Sequence, residues 1–211
     1  MVLTDRTMAT GVPGIAPPPE SRVPAVISDQ RLAPSPWRLI HNPPMSHTEH
    51  KKLSPAVAHC YILTISDTRT LATDASGRTI CDLLWADGHQ VTGRKVVRDE
   101  PDQVREAVET QLANPDVQVI LTTGGTGITS RDTTYEAIAG LLEKRLDGFG
   151  ELFRMLSYQE IGSASMLSRA VGGLARGKVI LALPGSEPAV RLAMTKLILP
   201  ELGHLVREAS R

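Results

Sequence analysis

The sequence predicts a doubly wound α/β domain built on a mostly parallel sheet. From residue 57 onward, apolar runs of six to nine residues alternate with segments of helical period, and this pair of elements recurs four times. The clearest run, VQVILTT, is apolar and β-branched, as expected of a strand that is buried on both faces. Only two Trp, three Tyr and two Phe are present, so the core must be aliphatic.

The first 44 residues differ in composition from the rest of the chain. They contain nine of the fifteen prolines, and their apolar residues follow no period, which predicts a disordered, proline-rich tail. We place this tail at residues 1–52 and the globular domain at residues 53–211. The sequence from Met45 onward resembles an ordinary protein start. We therefore expect residues 1–44 to be dispensable, and a docking arm is the alternative.

The first half of the domain contains two predicted strand–helix units. Residues 57–65 and 90–97 predict strands, and residues 76–87 predict a helix with Ser76 as its cap. Pro101 opens a second helix, because proline is favoured at the first helical position. The apolar positions of the two helices recur at helical spacing; they are Ile80, Leu83, Leu84, Val104, Val108 and Leu112.

The second half continues the alternation. Strands are predicted at residues 117–123 and 178–183. Gly162 is expected to interrupt one helical segment and Pro200 to kink another, because neither residue suits a helix interior. The helical segments are predicted at residues 133–144, 149–170 and about 187–207, the last with Val190, Met194, Leu197 and Leu205 on its buried side.

Composition excludes several classes of protein. Lys and Arg number 23 and Asp and Glu number 23, so no global field attracts nucleic acid, and the scarce aromatics do not favour base stacking. No apolar run approaches the roughly 18 residues of a membrane span. Cys60 and Cys81 fall in apolar or helical patterns without a CxxC, which predicts buried structural thiols, no thiolate metal site and a cytoplasmic location.

The loops that follow the strands are the places to look for function. In doubly wound sheets, ligands bind beyond the carboxyl ends of the strands. Gly124, Gly125, Thr126 and Gly127 follow the strongest strand; glycines permit positive φ, and the amides there and at the next helix suit a phosphate. A tight turn that needs glycine only for its geometry explains these residues equally well.

Two acids, Asp99 and Asp132, are the candidate catalytic residues. Thr133 and Glu136 form the pattern of a capping box, which would leave the Asp132 carboxylate free for another role. Asp99 ends the second strand and could equally cap the next helix. The fold places both acids at one edge of the sheet. Two carboxylates beside an anion pocket repel its ligand unless a cation joins them, so we expect Asp99 and Asp132 to hold Mg²⁺.

Two further loops carry candidate binding residues. Pro184, Gly185 and Ser186 follow the last strand; Ser186 can cap the next helix or, with free amides, bind a second anion. Ser66 and Asp67 end the first strand, where a binding role is plausible. Residues 172–179 (GGLARGKV) imitate a phosphate-binding loop, but Val179 replaces the required hydroxyl and the segment precedes a strand.

Taken together, these motifs resemble the MoaB/MogA family of molybdenum cofactor biosynthesis proteins. The resemblance covers roughly residues 55–208 and is greatest to the MoaB branch. One departure is Tyr135, which stands where the family often has proline. The motifs that carry the resemblance are ISDTRT, TTGGTGITSRDTTYEA, DGFGELFRMLSYQEIG, SRAVGG and LPGS.

The resemblance implies a three-layer αβα domain that binds molybdopterin and adenylylates its terminal phosphate with Mg-ATP, releasing pyrophosphate. The family's acidic positions fall on Asp99 and Asp132, its glycine motif on residues 124–127 and its Pro-Gly-Ser loop on residues 184–186. It also implies a homotrimer or hexamer, with transient contacts to other cofactor-biosynthesis proteins.

Other functions stay open at this point. A member of the same fold could bind a pterin or a nucleotide without catalysis, or could serve assembly alone. The related competence-damage-type proteins and the metal insertases usually carry additional domains. The sequence does not decide between molybdenum and tungsten.

Overall fold

One mixed sheet organises the part of the chain that the computed structural model describes, residues 54–211; the predicted tail lies outside it. Its strands are β1 (His59–Ile65), β2 (Gln90–Val97), β3 (Val119–Thr123), β4 (Lys144–Arg145), β5 (Val171–Ala175) and β6 (Lys178–Leu183). Their order is β2-β1-β3-β6-β5-β4. Strands β2, β1, β3 and β6 are parallel, and β5 is antiparallel to both of its neighbours. The prediction of a mostly parallel sheet is confirmed.

Helices cover both faces of this sheet. They are α1 (Ala75–Ala86), α2 (Pro101–Ala113), α3 (Thr134–Ala139), α4 (Asp147–Ile161), α5 (Glu187–Ala193) and α6 (Leu202–Ala209). One apolar cluster joins the sheet to α1, α4, α5 and α6, and a second joins it to α2 and α3. This is the three-layer αβα arrangement. Within residues 54–211, no helix is long and apolar enough to cross a membrane.

Strand β1 shows how the sequence builds two cores. Cys60 and Ile62 face the first cluster, whereas Leu63 and Ile65 face the second, because successive side chains of a strand point to opposite faces. Both cysteines are buried and free, as predicted. Burial raises the pKa of the Cys60 thiol to about 12, so this thiol is inert at neutral pH.

Two strands at one end of the sheet, β4 and β5, were not predicted. Gly172 and Gly173 in β5 ordinarily weaken a strand, but here the neighbouring chain comes too close for a side chain. A Cβ on Gly172 would lie 2.5 Å from a leucine side chain of β6, and one on Gly173 would lie 2.3 Å from the carbonyl oxygen of Lys144. The helix predicted over residues 133–144 is too long: it ends at Ala139, and Lys144 pairs with β5.

Two further helix predictions need correction or refinement. Asp74, rather than Ser76, caps α1: its carboxylate accepts a hydrogen bond from the Gly77 amide at 3.0 Å. The predicted long C-terminal helix is interrupted by a π-helical turn at Met194–Ile198 and a 3₁₀ turn at Leu199–Glu201. Proline lacks an amide hydrogen, so the pattern of backbone hydrogen bonds in the helix must change at Pro200. The interruption at Gly162 is confirmed, with φ of 61° there and a 3₁₀ segment over Gly162–Leu167.

Candidate active site

An open cleft of about 600 Å³ lies where the loops after β1, β3 and β6 meet. These loops converge because the three strands are parallel and end at one edge of the sheet. The volume is within the range of small-molecule sites. Among the predicted site residues, the cleft is lined by Ser66, Gly124, Gly125, Thr126, Gly127, Asp132, Pro184, Gly185 and Ser186. The other two, Asp67 and Asp99, are not part of this lining.

The glycine loop after β3 presents backbone amides. Gly124 and Gly125 have φ of 104° and 62°, values that suit glycine. Within residues 54–211, the amides of Gly125 and Thr126 donate to no protein acceptor. The next helix does not contribute as predicted, because the Thr134 amide already donates to the Gly125 carbonyl at 3.0 Å. The loop itself therefore supplies the free donors, in the manner of a backbone anion nest.

Asp132 closes the glycine loop. Its Oδ2 atom accepts hydrogen bonds from the amide of Thr129 at 2.9 Å and from the hydroxyl of Thr129 at 2.5 Å. These bonds hold the pKa of the Asp132 carboxyl below its ordinary value. The predicted capping box does not form: Thr133 occupies the N-cap position of α3, but its hydroxyl donates to Asp99 at 2.9 Å.

Asp99 lies behind the loop and is nearly buried, with 8% of its surface exposed. Its Oδ1 atom accepts from the amide and the hydroxyl of Thr133, at 3.3 and 2.9 Å. Burial raises the pKa of this carboxyl, and the negative charges of Asp132 and Asp67 raise it further, while the Thr133 bonds oppose the shift. The charge of Asp132 thus contributes to the raised pKa of Asp99, whereas the pKa of Asp132 itself is lowered.

Gly125 lines the cleft, and Asp99 lies directly behind it. A Cβ on Gly125 would lie 2.3 Å from Asp99 Oδ2 and 2.2 Å from Thr134 Oγ1. Among the described residues 54–211, the buried Thr134 hydroxyl has no hydrogen-bond partner, so its oxygen is available to a ligand. On the other side of the loop, a Cβ on Gly127 would lie 2.8 Å from Asp132 Oδ2. The acids therefore flank the glycine loop, and their oxygens are the donors that Mg²⁺ prefers.

Asp67 plays a supporting part in this arrangement. Its Oδ1 atom accepts the Asp99 amide at 3.2 Å, and its Oδ2 atom pairs with Arg131 at 2.8 Å. Arg131 also contacts Glu100 at 3.0 Å. The guanidinium of Arg131 holds the pKa of Asp67 below its ordinary value. Asp67 thus anchors the end of β2 beside the cleft.

The first and last loops of the cleft are tied together by Arg69, which the sequence analysis did not single out. Its guanidinium donates to Ser76 Oγ at 3.1 Å and to the Gly185 carbonyl at 3.0 Å. Ser66 Oγ accepts the Arg69 amide at 3.1 Å. Arg69 lines the cleft, so a cation stands beside the free amides.

The Pro-Gly-Ser loop is fixed from the neighbouring strand. Thr123 on β3 donates to the Pro184 carbonyl at 2.8 Å. Ser186 stands at the N-cap position of α5 as predicted, but its hydroxyl makes no capping bond and is exposed to the cleft.

Comparison with known proteins identifies the family. A family model described as a probable molybdopterin binding domain matches residues 61–204. Molybdenum cofactor biosynthesis protein B of Bacillus cereus is 55% identical over 168 residues, which span 79% of this chain and 99% of that protein. The chain belongs to the MoaB/MogA family.

Solved structures of MoaB/MogA proteins share the fold. A crystal structure of a molybdenum cofactor biosynthesis protein B has a TM-score of 0.72 and 54% identity, and covers 74% of this chain and 98% of that one. The tungsten cofactor synthesizing protein MoaB from Pyrococcus furiosus has a TM-score of 0.68 and 35% identity, and covers 75% of this chain and 100% of that one.

Tyr135, the departure from the MoaB/MogA motif, packs away from the cleft. The guanidinium of Arg169 lies over the Tyr135 ring, 5.0 Å from its centroid. The Tyr135 hydroxyl accepts a hydrogen bond from Arg145 at 3.2 Å. Tyr135 is not among the residues that line the cleft.

Proposed function

We propose that this MoaB/MogA protein binds molybdopterin and adenylylates it with Mg-ATP, releasing pyrophosphate. The observation that carries the proposal is the cleft with the free amides of Gly125 and Thr126 and an acid on either side of the glycine loop, Asp99 and Asp132. Family membership supports the substrate class, since the relatives carry the name molybdenum cofactor biosynthesis protein B.

Asp99 and Asp132 would hold Mg²⁺, which when bound would neutralise the phosphate charge that the two acids repel. Within residues 54–211, no three His, Cys, Asp or Glu side chains converge on a metal position. This suits Mg²⁺, which is commonly held by one or two carboxylates and completed by substrate phosphates and water. The unpartnered hydroxyl of Thr134 beside Asp99 adds a fitting oxygen donor.

The remaining residues position the phosphates. The Gly125 and Thr126 amides donate to phosphate oxygens, and Arg69 and Ser186 hold a second anionic group at the opposite wall. A terminal phosphate oxygen of molybdopterin attacks the α-phosphorus of ATP. The new P–O bond forms as the bond to the β-phosphate oxygen breaks, and its electron pair leaves with pyrophosphate. Such a transfer needs positioning and charge stabilisation and no protein nucleophile.

The proposal is tested by incubating the chain with molybdopterin, ATP and Mg²⁺ and measuring pyrophosphate. Asp132→Asn is expected to lower turnover by on the order of a hundredfold or more, by analogy with the loss of one preorganised electrostatic group. Asp147→Asn, which removes an exposed acid outside the cleft, is the matched control and should act like the wild type. Binding of molybdopterin without pyrophosphate release would favour a non-catalytic binding protein, and turnover that survives Mg²⁺ chelation would overturn the metal assignment.

A further inference from the structure

We propose that Arg169 is a positioning residue that holds the glycine loop and Asp132 at a fixed separation. Its guanidinium donates to the Thr126 carbonyl through Nε at 3.3 Å and to the Asp132 carbonyl through Nη2 at 3.0 Å, while Nη1 pairs with Glu136. The inference rests on the proposed function, because it assigns Arg169 to the same ion and phosphate site.

The two carbonyls that Arg169 bridges are the ends of one loop. Between Thr126 and Asp132, the side chains of residues 128–130 are exposed, and the Thr129–Asp132 hydrogen bonds act only within the loop. The Thr126 amide is one of the free phosphate donors, and Asp132 is one of the two acids. Arg131 also ties the loop to Asp67 and Glu100, but the planar guanidinium of Arg169 contacts both ends of the loop and so helps to set the distance between the anion donors and the carboxylate.

Arg169 is itself held in place by α3. Tyr135 presents its ring face to the guanidinium, and Glu136 pairs with it one residue later. Arg145 anchors the Tyr135 hydroxyl from the far side at 3.2 Å. The side chain of Arg169 is only 27% exposed. Because several groups orient the guanidinium, its two bonds to the loop are preorganised before any ligand arrives.

Lysine is the informative replacement. An ammonium at this position keeps the positive charge beside Glu136 and the cation–π contact with Tyr135. It lacks the planar fork that reaches two carbonyls at once. Arg169→Lys should therefore preserve the fold and release the loop. Arg145→Lys is the matched control, since Arg145 touches the same tyrosine but not the loop, and a lysine there can still donate to the Tyr135 hydroxyl.

The first experiment measures binding of Mn²⁺, as a paramagnetic replacement for Mg²⁺, together with a non-hydrolysable ATP analogue. Arg169→Lys should weaken this binding by about tenfold or more, in the range for removal of an outer-shell partner of a metal site. Its thermal unfolding midpoint should stay near that of the wild type, and Arg145→Lys should match the wild type in both measurements. In Arg169→Ala, added guanidinium ion at millimolar concentration should restore part of the affinity. Wild-type affinity in Arg169→Lys would overturn the proposal.

A second measurement separates this inference from the proposed function. Millisecond hydrogen exchange of the amides of residues 126–132, in protein without ligand, should be faster in Arg169→Lys than in the wild type or in Arg145→Lys. If the wild type binds no Mn²⁺ and nucleotide, the proposed function fails, and the exchange experiment still decides the role of Arg169. Equal exchange in Arg169→Lys and the wild type would overturn that role.

Discussion

At Asp99, the fold works against an ionised side chain. Burial raises the pKa of its carboxyl, and the charges of Asp132 and Asp67 add to the effect. Because the folded state binds this proton more tightly than the unfolded state does, the associated stability is fully present below the ordinary pKa of 3.8. It is lost as the pH rises through the raised folded value. At neutral pH, the unliganded protein therefore bears an electrostatic cost at its candidate site.

Asp99→Asn is expected to stabilise the unliganded protein at pH 7. The asparagine oxygen can still accept both bonds from Thr133, and the new amide group faces the unpartnered hydroxyl of Thr134. A gain of about 1 kcal/mol would raise the unfolding midpoint by roughly 2–4 °C. Calorimetry without divalent ions measures this, and the difference from the wild type should shrink as the pH falls toward 4.

The control for Asp99→Asn is Asp67→Asn. Asp67 is exposed, and its pKa is lowered by Arg131, so its neutralisation should give no increase in the midpoint. An Asp99→Asn midpoint equal to or below that of the wild type at pH 7 would contradict the account of Asp99. Stability that is lost to keep a charged group in place is common at functional sites.

Residue types at strand ends could be predicted from the sequence, whereas their long-range partners could not. The sequence analysis placed Asp99 and Asp132 near each other because they follow parallel strands, which end at one edge of the sheet. Arg169 contacts residues 33 to 43 positions earlier, and no local pattern encodes such a contact. The unused hydroxyl of Thr134 is likewise visible only after folding, because it depends on the path of the glycine loop beside it.

Among the elements, the turn that ends β3 depends most strongly on glycine. Gly124 has φ of 104°, and a Cβ there would lie 2.1 Å from the carbonyl oxygen of Ile65. Gly124→Ala should cost about 2 kcal/mol or more, which lowers the unfolding midpoint by roughly 4–8 °C. Gly148→Ala is the control: nothing lies within 4 Å of the added methyl in α4, so the midpoint should stay constant or rise slightly. Equal midpoints for the two variants would show that the turn tolerates a side chain.

The accuracy of the element predictions follows the strength of the local signal. Three of the four parallel strands, β1, β3 and β6, are mostly buried apolar runs, whereas β2 is an edge strand with mostly exposed or half-buried residues. All four were predicted. Strand β5 was missed because Gly172 and Gly173 lower its strand propensity. Glycine is needed at these positions because residues distant in the sequence pack too close for a side chain. The cap of α1 was assigned to Ser76 because sequence offers several polar residues at a helix start. The Thr64 hydroxyl, which donates to the buried Asp74 carboxylate at 2.7 Å, selects Asp74 as the cap.

On the scale of the whole molecule, the balanced net charge means that any attraction of an anionic ligand must be local. With 23 basic and 23 acidic residues, the chain has no overall field to attract a phosphate ligand. Attraction of the proposed phosphate ligand would have to come from the cleft itself, where the free amides of Gly125 and Thr126 and the guanidinium of Arg69 supply positive character. Three loops from separate strands build this cleft, so its geometry depends on the packing of the entire sheet.

Within residues 54–211, an apolar surface is exposed next to the cleft. We call it the α4 surface; it consists of Leu152, Met155, Tyr158, Ile161, Met166 and Leu167. Met166 is 75% exposed, and Leu167 also lines the cleft. Contiguous exposed apolar patches mark interaction sites. We expect a second copy of this chain to cover the α4 surface, in line with the trimer or hexamer that the family resemblance implies.

Met155→Glu should therefore give monomers if copies of this chain meet at the α4 surface, because the expected contact would bury an unpaired charge. Sedimentation velocity at micromolar protein measures the mass, and circular dichroism checks that the variant stays folded. Trp85→Glu serves as the control, since Trp85 is 60% exposed on α1 and does not belong to the α4 surface; it should sediment like the wild type.

The position of Leu167 beside the cleft adds a second expected result. The dissociated variant should bind molybdopterin more weakly, because one wall of its cleft loses the neighbouring copy that supports it. A wild-type monomer, or an unchanged mass for Met155→Glu, would exclude the α4 surface as the contact between copies.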